Sequence, residues 1–147
     1  LNMFTEKSEE ENLDKVNFCL KRVNLENTNS LLPSELSGGM KKRVAIARAI
    51  VLNPRYLLCD EPNSGLDPKS AILIDDLIKE ITEEYNITTI VNTHDMNSVI
   101  QIGDNIAFIH NGEIWWEGNK EELIHSENNE LHEFVFASKL FKRLKRN

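Results

Sequence analysis

Apolar residues recur at helical spacing in several segments of this chain and in short β-branched runs in others, so the pattern alone sketches an alternating architecture. Ser8-Glu9-Glu10-Glu11 has the form of a capping box, and Leu13, Val16, Leu20 and Val23 follow at three- and four-residue intervals. These predict a helix from about Ser8 to Val23, with an acidic first turn suited to the helix dipole. Asn24 to Glu35, with its Asn, Thr, Ser and Pro33, reads as a loop. From Met40 to Leu52 the apolar positions Met40, Val44, Ala47 and Val51 fall on one helical face, and Asn53-Pro54 should stop that helix. A short buried strand, Tyr56 to Asp60, comes next. Asp67 can cap a helix that places Pro68 at its first position and carries an apolar stripe of Ile74, Leu77, Ile78, Ile81 and Tyr85. Ile87 to Asn92 is a β-branched strand, and a helix around Met96 to Ile102 leads to a strand at Asn105–His110. Asn111-Gly112 then turns the chain into a strand at Glu113–Glu117. Strands alternating with helices predict a mostly parallel, covered sheet whose last pair is antiparallel.

Composition narrows the picture. Of 147 residues, 40% are hydrophobic, enough for one domain with a core. A net charge of −7 argues against the clustered positive surface that nucleic acid requires, so no nucleic-acid partner is expected. No apolar run approaches the ~20 residues that span a bilayer, and no signal peptide opens the chain, which reads as soluble and intracellular. Cys19 and Cys59 form neither a C-x-x-C pair nor a ligand cluster and read as reduced packing residues.

The segments that carry chemistry lie between the helices. Ser37, Gly38 and Gly39 immediately precede a helix, where unpaired N–H groups and the positive dipole end favour an anion and glycine lets it come close. Asp60 ends an apolar strand, a position from which a carboxylate can face a magnesium ion bridging nucleotide phosphates. Glu61 directly follows. His94 follows the second strand, from which an imidazole can donate to a phosphate as charge develops. Each alone would be ordinary: a Ser cap, an exposed acidic pair, a structural His. Nowhere is there a G-x-x-x-x-G-K-[ST] loop, the usual cradle for nucleotide phosphates.

Taken together, Leu36-Ser37-Gly38-Gly39-Met40, Tyr56-Leu57-Leu58-Cys59-Asp60-Glu61-Pro62, Asn63-Ser64-Gly65-Leu66-Asp67 and Thr93-His94-Asp95 resemble, in order and spacing, the signature, Walker B, D-loop and switch-histidine elements of the ATP-binding-cassette (ABC) ATPases. The resemblance covers essentially the whole chain but only the second part of such a nucleotide-binding domain. It implies an α/β P-loop NTPase fold, truncated, with a mostly parallel sheet flanked by helices and a remnant of the helical subdomain. Residues 1–36 would be the end of that subdomain, 37–124 the second half of the catalytic core and 125–147 a C-terminal helical extension. The Walker A loop, the adenine-stacking aromatic residue and the Q-loop would lie upstream of Leu1, and an opening Leu fits a truncated reading frame.

The resemblance also assigns roles. Ser37, Gly38 and Gly39 would contact the γ-phosphate of ATP held mainly by a second ATPase subunit in a head-to-tail dimer. Asp60 would coordinate Mg²⁺ through water, and Glu61 would polarise the attacking water as general base. Asp67 would contact the opposite site across the dimer as well as capping its helix, and His94 would be the switch histidine. Met40 departs from the usual glutamine of the signature without touching the backbone anion site. A signature ending in Met and followed by Lys41-Lys42-Arg43 resembles most the ATPases of Mla-type systems, which move phospholipids between bacterial membranes. Lys41, Lys42 and Arg43 read otherwise as a solvated helix face.

The expected function is therefore the ATP-hydrolysing subunit of an ABC transporter, cytoplasmic and peripheral on the inner face of the cell membrane, driving transmembrane permease subunits with phospholipid as cargo. The chain by itself is expected to show no ATPase activity. One alternative is a non-transport ABC ATPase, and another is a noncatalytic fragment or interaction module. Alternation along a strand would point one of Trp115 and Trp116 inward and leave the other partly exposed. Ala137, Leu140, Phe141 and Leu144, beside Lys139, Lys142, Arg143, Lys145 and Arg146, predict a basic amphipathic helix for partner docking.

Overall fold

A computed structural model describes residues 1, 5–126 and 128–136, the side chains of 129, 132, 133 and 136 excepted. The chain forms two units, Leu1–His94 and Asp95–Asn147. In the first, helix α1 spans Glu9–Arg22 behind the predicted capping box. Ser8 Oγ accepts from the Glu11 amide at 3.2 Å, and the Glu11 carboxylate accepts from the Ser8 amide at 2.8 Å. Helix α2, Gly38–Ile50, packs against both α1 and α3, Pro68–Tyr85. Strands β1, Tyr56–Asp60, and β2, Thr88–Asn92, flank α3 in the chain and pair in parallel, from Tyr56 opposite Thr88 to Asp60 opposite Asn92.

Helix α3 begins and ends as its residues dictate. Asp67 accepts from the Lys69 and Ser70 amides at 3.1 and 3.0 Å, Pro68 occupies the first turn, and Asn86 closes the helix in the left-handed conformation. Ile74, Leu77, Ile78 and Ile81 are buried as the stripe predicts, each contributing about 1.5–3 kcal/mol of hydrophobic stabilisation. Arg22 of α1 reaches Glu80 and Glu84 of α3, pinning the two helices together at the surface.

Two expectations about burial change. Helix α2 buries Ile46, Ala47 and Ile50, so the core face is rotated from the predicted one. Ala47 is buried as predicted, whereas Val44 and Val51 line, with Leu13 and Val16 of α1, a cavity of about 490 Å³. Strand β1 is not buried throughout: Leu57 is 4% exposed but Leu58 is 72% exposed, and Ile90 of β2 is also exposed. Side chains alternate across a strand, so an uninterrupted apolar run still presents two faces, and here one of them has nothing packed on it among the described residues.

The second unit contains α4, Met96–Ile102, the antiparallel strands β3, Ile106–His110, and β4, Glu113–Gly118, then α5, Lys120–His125, and α6, Asn129–Phe136. Asn111 and Gly112 both have positive φ, 51° and 82°, as a tight hairpin turn demands. Leu123, Leu131 and Val135 form the core, with Val99, Ile106, Phe108 and Trp116 packed against it. Trp116 thus points inward, while Trp115 is exposed and meets the His110 ring edge-on. The predicted basic helix over residues 137–146 lies outside the described residues.

Candidate functional site

All seven residues singled out for chemistry lie in the first unit. Ser37 caps α2, its hydroxyl accepting from the Met40 amide at 3.2 Å, so Gly38 and Gly39 form the helix's first turn. Neither glycine is required by this chain's backbone. Both have ordinary φ values; among the described residues a Cβ on Gly39 would meet nothing within 4 Å, and one on Gly38 would make ordinary contact with Leu66 at 3.5 Å. The open space over this helix start gives an anion access to free N–H groups. Leu66 also brings the loop after Glu61 against the signature turn.

Asp60 and Glu61 stand where β1 ends. Asn92, opposite Asp60 in the parallel register, donates from Nδ2 to Asp60 Oδ1 at 2.7 Å, and its backbone carbonyl accepts from the Glu61 amide at 2.8 Å. Glu61 then turns left-handed, φ 45°, a conformation that costs a residue with a side chain about 1–3 kcal/mol and persists where surrounding bonds enforce it. Its Oε1 accepts from the His94 amide at 3.1 Å and lies 2.6 Å from His94 Nδ1. A carboxylate only accepts, so Nδ1 carries the proton and Nε2 faces outward from the pair. Glu61 Oε2 is buried and has no hydrogen-bond partner among the described residues. An orphaned buried oxygen costs free energy until a donor arrives, and a water molecule is such a donor.

Beyond Glu61 the chain makes two consecutive turns, Ser64 N–H to Glu61 O and Leu66 N–H to Asn63 O, each 3.2 Å, with Gly65 at φ 78°. Asn63 is buried and donates from Nδ2 to both carboxylate oxygens of the buried Asp75, at 3.4 and 3.3 Å. Asp67 closes the loop as the α3 cap. The Ser70 hydroxyl, followed by the Ser70 and Lys69 amides, holds its carboxyl below the usual range. Burial pushes the Cys59 thiol beside Asp60 up, and that of Cys19 likewise, as packing cysteines should behave.

Several contacting residues escaped the sequence reading. Lys42 does not join a solvated face: its ammonium donates to the Glu61 carbonyl at 3.0 Å. Arg43 donates to the Asn24 and Val23 carbonyls at 3.1 and 3.4 Å, bracing the end of α1. Asn63, Asp75 and Asn92 gave no signal because their partners are distant in sequence. Among the described residues no three His, Cys, Asp or Glu side chains converge on a metal position. Asp60 offers one carboxylate at the strand end, which fits an Mg²⁺ whose remaining oxygens come from phosphates and water rather than an all-protein cage.

Comparison with known proteins agrees with this arrangement. The family model described as ABC transporter matches residues 1–64. The chain is 43% identical over 131 residues to the methionine import ATP-binding protein MetN of Campylobacter jejuni, covering 89% of this chain and 39% of that protein. It is 41% identical over 116 residues to the intermembrane phospholipid transport system ATP-binding protein MlaF of Haemophilus influenzae, covering 79% of this chain and 44% of the relative. It thus spans about two fifths of the length of these curated relatives. Among solved structures, a dimeric ATP-binding cassette in a post-hydrolysis state, bound to ADP and Pi, superposes with a TM-score of 0.68 at 38% identity, over 79% of this chain and 50% of that one. The ordered signature turn, strand-end carboxylates and histidine thus sit on the fold of an ATP-binding cassette, and the chain is similar to part of the ABC transporter ATP-binding proteins.

Proposed function

We propose that this chain supplies the signature, Walker B, D-loop and switch elements of a transporter ATPase that hydrolyses ATP to ADP and phosphate. The observation that carries the reading is Glu61: one carboxylate oxygen bonded to His94, the other buried and without a partner among the described residues. Oε2 accepts a proton from the attacking water, while Asp60 would hold Mg²⁺ through water, an ion that would supply charge compensation for the phosphates. His94, with Nδ1–H engaged by Glu61, donates to the γ-phosphate from Nε2 when the ring is the imidazolium.

Ser37, Gly38 and Gly39 receive the γ-phosphate of a nucleotide held by a second subunit in a head-to-tail dimer, and Asp67 reaches toward that opposite site; the similarity to a dimeric cassette bound to ADP and Pi supports a dimer. Residues 1–36 act as the end of the helical subdomain, 37–124 as half of the catalytic core and 125–147 as a C-terminal extension. The phosphate cradle that the resemblance places upstream of Leu1 would complete the subunit, which drives transmembrane permease subunits from the inner membrane face.

Phospholipid is the cargo that Met40-Lys41-Lys42 favours, and the similarity to MlaF supports it. Methionine import is the second reading, supported by the similarity to MetN. Stimulation of turnover by lipid vesicles and not by methionine, with the permease present, separates them; the reverse pattern selects the second. The catalytic assignment is tested by Glu61→Gln in the full gene product containing this chain. Hydrolysis should fall by ~10²–10⁴-fold, the range for a lost general base, with ATP binding retained. Unchanged turnover would overturn it.

A further inference from the structure

We infer that Lys42 is a positioning residue for Glu61, tying the signature helix to the carboxylate that faces the attacking water. This rests on the ATPase reading for its consequence but on geometry for its substance. Lys42 lies in the first half of α2, 19 residues before Glu61 in the chain, and is half-buried. Its Nζ donates to the carbonyl of Glu61 at 3.0 Å. The same carbonyl accepts the Ser64 amide at 3.2 Å, the first bond of the loop that ends at Asp67.

Glu61 needs such a hold more than its neighbours do. It is a residue with a full side chain in left-handed backbone, and rotating φ back to the extended region would carry its carboxylate away from His94. Asn92 fixes the amide side of the residue and His94 the carboxylate. Lys42 is the cationic donor on the carbonyl side, and it comes from the helix whose N-terminal turn is the signature. A charged donor to a partly buried carbonyl is stronger than a neutral one. Displacement of α2 by a phosphate at Ser37-Gly38-Gly39 is thereby passed directly to the backbone of Glu61. His94 and Asn92 cannot report that displacement, since both hang from β2 and its end.

Amide hydrogen exchange on the full chain tests this. Lys42→Met keeps the aliphatic stem and removes the donor. Exchange at the Glu61, Ser64 and His94 amides should accelerate about tenfold through easier local opening, while the ladder amides of β1 and β2 and the interior of α3 hold their rates. Lys42→Arg, which retains a cationic donor, should restore most of the protection. Uniform acceleration throughout Leu1–His94 would mean a packing role only, and no change at the three amides would remove the inference. If Lys42→Met does not fold, Lys42→Gln compared with Lys42→Arg carries the same contrast. The exchange experiment requires no turnover, so it fails or succeeds separately from the ATPase reading. In the full gene product, Lys42→Met should then lower kcat with KM for ATP nearly unchanged; a raised KM at constant kcat would place Lys42 in nucleotide binding instead.

Discussion

The turn that begins α2 and the turn that follows β1 both present backbone and side-chain groups to a phosphate, yet they are held in opposite ways. At Ser37-Gly38-Gly39 the fold asks for almost nothing: one hydroxyl cap, two glycines in ordinary helical conformation and open space above them. At Glu61 the fold asks for a great deal, because a strained residue is bonded through its amide, its carbonyl and its carboxylate. The difference separates two kinds of functional residue. A position left free by its own chain is shaped by what approaches it from outside, whereas a position gripped on every side is prepared in advance and needs only its reactant.

The comparison breaks most readily at the loop beyond Glu61. Asp75→Ala removes the buried acceptor of the Asn63 amide and should cost about 1–3 kcal/mol, read as a lower urea midpoint for the first unit. A loss within experimental error would mean that the loop is not held from α3. Ser37→Ala should cost about 1 kcal/mol for a lost cap, and a larger loss would show that the signature turn is more firmly built than its contacts indicate. Gly39→Ala sharpens the contrast: the melting temperature should stay the same or rise slightly, since a methyl meets nothing there, while ATPase activity of the full gene product falls. A drop in stability would show that the glycine serves the fold.

Asp67 gives the smallest effect and a definite sign. Its folded carboxyl is held down by Ser70 and the first amides of α3, so the stabilisation it adds is present above the ordinary carboxylate range. It is lost as pH falls through the lowered folded value. Asp67→Asn should therefore flatten part of the acid limb of a stability–pH curve while changing little at neutrality. An unaltered acid limb would remove the charged cap from the account.

Much of this architecture is local and could be read from neighbouring residues. Ser8 with Glu11, Asp67 with Pro68, and Asn111-Gly112 each fix an element boundary through contacts within three residues, and all three are observed. Helix α5 was legible in principle, since Asn119 and Glu122 form a capping box, but its six residues are too short for periodicity to announce it. The rotated core face of α2 depends on where α1 and α3 sit, which no single helix encodes. In the same way, the grip on Glu61 joins positions 19, 31 and 33 residues away, Lys42, Asn92 and His94, whose meeting is a property of the folded unit. The motif spacing made Asp60, Glu61 and His94 visible as candidates; the residues that orient them carry no motif of their own.

The pairing of β1 with β2 has a kinetic meaning. The two strands are separated by the whole of α3, an 18-residue helix, so their ladder closes only after that intervening segment has become compact. Helix α3 carries its own cap, stop and apolar stripe and can form early. Conservative substitutions in its buried stripe should therefore slow folding, whereas substitutions at Leu58 or Ile90 should chiefly hasten unfolding. Glu61 and His94, which the late ladder brings together at its end, would be among the last groups to find each other: the chemistry of this unit is assembled only when everything beneath it is already in place.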